Sequence, residues 1–123
     1  MKKLLILGAL LMASAVILGA FGAHGLKARL SPDLLQVYHT GVEYHFYHAL
    51  GVLLMGVIAG FYPTISGIQW SGWMLTIGII IFSGSLYLLS ITGVRWLGAI
   101  TPIGGVAFIA GWLMLAYHLY KHA

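Results

Sequence analysis

The chain has 123 residues, 61% hydrophobic and 7% charged, against roughly 45–50% apolar and about 25% charged in soluble globular domains; this inventory excludes a water-soluble surface and a second soluble domain. The formal charge of +4 comes from Lys2, Lys3, Lys27, Arg29, Arg95 and Lys121, set at the ends of apolar stretches, the placement of headgroup-facing cations and not of a nucleic-acid groove. With no cysteine, disulfides, thiolate catalysis and cysteine-bound metals are excluded.

Leu4 to Ala23 is apolar apart from Ser14, and roughly 20 such residues cross about 30 Å of hydrocarbon, so this is the first predicted span. Lys2-Lys3 before it and the small residues Ala20 and Ala23 within it also suit a signal peptide, for which the uncharged core is long. Ser31-Pro32-Asp33 then pairs a cap residue with a first-turn proline and acid, so helix resumes near Pro32. The segment Leu34 to His39 is an amphipathic lead-in at or beyond the interface, with a bend expected at Gly41.

Tyr44 to Val94 contains no Asp, Glu, Lys or Arg, too long a run for one span and suited to two with a tight reversal. Phe61, Tyr62, Pro63, Thr64 and Ser66-Gly67 mark that reversal, and Trp70 and Trp73 fall where an interfacial aromatic belt is expected. Thr101-Pro102 reads as an N-cap and first-turn proline opening the last span. The expectation is all-α: a single transmembrane domain, residues 1–123, with short loops and spans over about 4–23, 44–61, 73–89 and 102–118.

Small residues recur on single helical faces, at Gly8, Ala15, Gly19 and Gly22, at Gly56 and Gly60, and at Gly104, Ala107 and Gly111, where helices can approach closely. Four spans put both termini on one side and gather His24, Lys27, Arg29, Asp33, His39, Glu43, His45, His48 and Arg95 towards the other. The positive-inside comparison ties, and the Lys2-Lys3 cluster on the first helix favours cytoplasmic termini.

His24, Glu43, His48 and Arg95 form the candidate polar site. His48 lies deepest, and an ionisable group within a membrane marks a functional-site candidate, against the plainer reading of a neutral histidine hydrogen-bonded to a neighbouring helix. Arg95 suits a clasp with Glu43 or Asp33, or a lipid phosphate. His45 and His48 share a helical face, yet the spacing matches no tight metal motif, and nothing selects for haem. No metal, cofactor or catalytic residue is assigned.

Three stretches carry a resemblance: Gly19-Ala20-Phe21-Gly22-Ala23-His24-Gly25-Leu26; Thr40-Gly41-Val42-Glu43-Tyr44-His45-Phe46-Tyr47-His48-Ala49-Leu50; and Ser83-Gly84-Ser85-Leu86-Tyr87 through Arg95-Trp96-Leu97-Gly98-Ala99-Ile100-Thr101-Pro102-Ile103-Gly104-Gly105. Over nearly its whole length the chain is similar to the small bacterial YgdD-like membrane proteins, domain of unknown function 423. The resemblance implies a four-helix protein of the bacterial cell (inner) membrane with no assigned reaction, substrate or cofactor. It places His24, His48 and Arg95 at motif positions, and His45 where an uncharged polar residue such as glutamine is expected, which counts against a histidine metal cluster.

Three readings follow. The first is a structural or regulatory component that packs against itself, as a homo-oligomer, or against a membrane protein partner within the lipid bilayer. The second is a small transporter or channel component with an ionisable site near His48, Glu43 and Arg95. The third is a membrane subunit that binds a metal, haem or quinone.

Overall fold

The computed structural model describes residues 2–122. In lipid every backbone polar group must be satisfied within the chain, so an apolar sequence of this kind folds as helices. Four are long and apolar enough to span: α1 (Lys2–Leu26), α2 (Pro32–Phe61), α3 (Gly67–Thr92) and α4 (Thr101–His122), the last preceded by a 3-10 turn at Arg95–Ala99. The expected four-helix membrane bundle is the one observed.

Helix ends follow local chemistry. Ser31 caps α2 by accepting from the Leu34 amide at 3.3 Å, with Pro32 in the first turn. Tyr62 to Ser66 reverse the chain after α2. Gly93, at φ 73°, takes the left-handed position that closes α3 and donates to the Leu89 carbonyl at 2.7 Å, a conformation glycine adopts without steric cost. Thr101 differs from expectation. Its hydroxyl meets the Leu97 carbonyl at 3.4 Å and the Ser85 hydroxyl at 2.6 Å, so it ties α4 back to the preceding turn and to α3.

The helices extend beyond the predicted spans because interfacial turns stay helical past the hydrocarbon. The amphipathic lead-in is part of α2, which runs unbroken through Gly41. That glycine serves close approach instead of a bend: a Cβ there would lie 3.0 Å from the Tyr87 ring.

Glycine contacts fix an up-down-up-down order. A Cβ at Gly8 would meet Leu53 at 2.7 Å, and one at Gly56 would meet Leu5 at 2.9 Å, which sets α1 antiparallel to α2. Gly78 against Phe108 and Gly111 against Leu75 set α3 antiparallel to α4 in the same way. The predicted glycine faces are thus used inside the chain, except that Gly60 is exposed. The apolar windows of α2 and α3 are each 44% buried, against 17% and 22% for the first and last spans, so the middle pair forms the centre and α1 and α4 lie outside. α3 loosens into a π-turn at Ile79–Ser83, and α1 ends in another at Gly22–Leu26.

Candidate functional site

Cross-helix polar contacts concentrate where α1, α2 and α3 meet. His45 is 4% exposed; its Nδ1 lies 2.8 Å from the Tyr87 hydroxyl on α3 and its Nε2 3.1 Å from Ser14 Oγ on α1. The Ser14 hydroxyl donates to the Leu11 carbonyl at 2.8 Å, so toward His45 its oxygen accepts. The proton then sits on Nε2, and Nδ1 accepts from Tyr87. With a neutral imidazole, every hydrogen in the chain Tyr87 to His45 to Ser14 to Leu11 is committed.

Two further links surround it. Tyr38, fully buried, donates its hydroxyl to the Leu18 carbonyl and packs its ring 5.3 Å from that of Tyr87. Ser83, also fully buried and closing the α3 π-turn, donates to the Gly41 carbonyl of α2 at 2.7 Å. Ser14, Tyr38, Ser83 and Tyr87 escaped the sequence reading. The available signals were Ser14 as the lone polar residue of its span and Tyr87 within the third resemblance stretch.

His48 lies elsewhere, under α4. Its Nδ1 is 2.8 Å from the Tyr44 carbonyl, and its ring stacks on Phe108 with centroids 3.5 Å apart and planes 11° apart. Tyr44 and Trp112 complete the surround, each with its ring centroid 6.0 Å away.

The other candidates are at the surface. His24 is exposed in the π-turn of α1, Glu43 on the outward face of α2, and Arg95 in the turn before α4. The structure does not gather these with His48: among the described residues no three His, Asp or Glu side chains come together as metal ligands would. The expected clasp is also not formed, since no ion pair within 4.0 Å joins Arg95 to Glu43 or Asp33. Both acids face outward near the membrane edge, where water and headgroups solvate them.

Four apolar helices around an internally paired polar network define a multi-pass membrane protein. The family description "Protein of unknown function (DUF423)" matches residues 18–105. The chain is 50% identical over 122 residues to the UPF0382 membrane protein YwdK of Bacillus subtilis (strain 168), covering 99% of each chain. It is 51% identical over 121 residues to the UPF0382 membrane protein SH2409 of Staphylococcus haemolyticus, covering 98% of each. No solved structure matches. The chain belongs to this family and is a multi-pass protein of the bacterial cell membrane.

Proposed function

We propose that the protein is a structural or regulatory component of the membrane, acting by packing against a second copy or another membrane protein. The supporting observation is where its contact chemistry goes. Most of the polar groups inside the bundle are engaged by Ser14, His45, Tyr87, Ser83 and the backbone, and the glycine faces hold the four helices to one another. Among the faces left for a partner is the outward stripe of α4, with Ile103, Val106, Ile109, Leu113 and Tyr117 all more than half exposed. These residues recur every three or four positions and form one face.

The absence of native cysteine makes the test direct. Single cysteines at Ile109 and Leu113 should crosslink in native membranes into a discrete dimer or a reproducible heteromer, with native mass spectrometry in mild detergent showing the same species. A monomer that captures nothing at either position overturns the proposal.

A small transporter or channel component is the second reading, favoured by His48, whose Nε2 has no hydrogen bond among the described residues. Reconstituted liposomes should then pass protons, ions or small solutes, and His48→Ala should abolish that flux. Liposomes as tight as empty controls would end this reading.

A further inference from the structure

His48 combines burial with an unused polar atom. Its Nδ1 faces a backbone carbonyl, which only accepts, so Nδ1 carries the proton. In the neutral ring Nε2 is then a hydrogen-bond acceptor. It makes no hydrogen bond among the described residues, yet it is not a fully sealed unpaired atom there, as His118 Nδ1 is. His48 is 7% exposed, so the ring is nearly buried and Nε2 is not fully sealed.

His48 lies on the α2–α4 seam, where Phe108 and Trp112 pack against it. Tyr44 and Trp112, which flank the imidazole, are 38% and 37% exposed and offer aromatic surface to the lipid. Phe108 closes the far side by stacking on the ring. At about 1.5 Å per helical residue, His48 sits roughly 20 Å from the level of Phe61. In a core of about 30 Å that places it roughly 10 Å inside the opposite edge. Phospholipid acyl chains at that depth carry no donor, and an imidazole nitrogen left unpaired there costs free energy.

We infer that the α2–α4 seam at His48 binds a membrane-dissolved hydroquinone, its ring against Tyr44 and Trp112 and its hydroxyl donating to His48 Nε2. Flat rings suit exposed aromatic faces. A donor hydroxyl on an apolar, lipid-soluble body is what the acceptor and its depth require. Among the described residues no enclosed pocket surrounds His48, so the ligand would lie against the seam from the lipid side, and the inference concerns binding alone.

The test uses the full chain in nanodiscs of phosphatidylglycerol and phosphatidylethanolamine, with decylhydroquinone as probe and decylbenzoquinone, which has the same ring without donors, as comparison. Decylhydroquinone should bind saturably and about tenfold tighter than decylbenzoquinone, and His48→Phe, which keeps the stack on Phe108, should remove that preference. With 15N-labelled histidine in the unaltered protein, decylhydroquinone should shift the His48 Nε2 resonance and leave Nδ1 in place. This second measurement decides the matter even if His48→Phe does not fold. Non-saturable binding, equal affinity for the two probes, a preference that survives His48→Phe, or an unmoved Nε2 resonance each overturns the inference.

Discussion

Around Leu4, Val52, Met55, Ile68 and Leu75 the helices meet through apolar side chains set against glycine, whereas around Tyr38, His45 and Tyr87 they meet through hydrogen bonds that cross from one helix to the next. The first region is nearer the termini, the second nearer the first and third loops. Lipid tails are as apolar as leucine, so burial does not by itself favour helix over lipid contact. In the glycine region, association comes from backbones brought close enough for dense dispersion contact. In the polar region, directional bonds also set the rotation of each helix about its axis. One half supplies close contact, and the other supplies register.

The largest effect should come from filling a glycine that faces backbone. A Cβ at Gly104 would lie 2.4 Å from the Phe82 amide nitrogen, and a main-chain atom cannot step aside as a side chain can. Gly104→Ala should therefore cost about 2–3 kcal/mol, the upper part of the overpacking range, read as a loss of stability in detergent unfolding. The adjacent Gly105→Ala places its Cβ 3.9 Å from the Phe82 ring, an ordinary contact, and should be neutral or stabilising by up to about 1 kcal/mol through helix propensity. Equal effects at the two positions would break the claim that close approach holds α3 to α4.

Depth could be read from the sequence, and rotation only in part. Ser31-Pro32-Asp33, the reversal before Gly67 and the apolar runs set where each helix enters and leaves the membrane, because capping and hydrocarbon thickness are local constraints. The spacing of Gly104, Ala107 and Gly111 gave one buried face correctly. Gly60 failed by the same rule, since small-residue spacing names a face without naming a neighbour. The grouping of His24, Glu43, His48 and Arg95 rested on depth alone. Their azimuths send Glu43 outward and His48 under α4, a division set by which helices pack on which side of α2. The bonds from His45 to Ser14 and Tyr87 join residues 31 and 42 positions apart, and no local pattern reports such a pairing.

Next in size is the centre of the polar half. His45→Leu removes the bonds to Ser14 and Tyr87 and leaves the Tyr87 hydroxyl unpaired, for an expected loss of about 1–2 kcal/mol. His45→Gln should cost less than about 1 kcal/mol, because an amide also offers one acceptor to Tyr87 and a donor to Ser14. Tyr87→Phe should cost about 0.6 kcal/mol, the usual size of one interhelical bond in a membrane. A double-mutant cycle between His45→Leu and Tyr87→Phe should return a coupling of similar size. Additive losses would mean that the two residues contribute through packing and not through their hydrogen bond.

The smallest effect should be at Ser83. Its hydroxyl reaches the Gly41 carbonyl at 2.7 Å, but that carbonyl lies inside the continuous helix α2 and can keep the partner that the helical ladder supplies. Ser83→Ala thus leaves no acceptor stranded and should cost about 0.5 kcal/mol or less. Its value lies in what else it touches. Ser83 ends the π-turn of α3, which Gly104 packs against at Phe82, so a shift of α3 on α2 would be felt at the α3–α4 contact. If register is set by the polar half, Ser83→Ala combined with Gly104→Ala should lose less than the two separate losses together, because an α3 freed from Gly41 can move away from the added methyl. Strict additivity would show that the α2–α3 bond and the α3–α4 contact hold their positions independently.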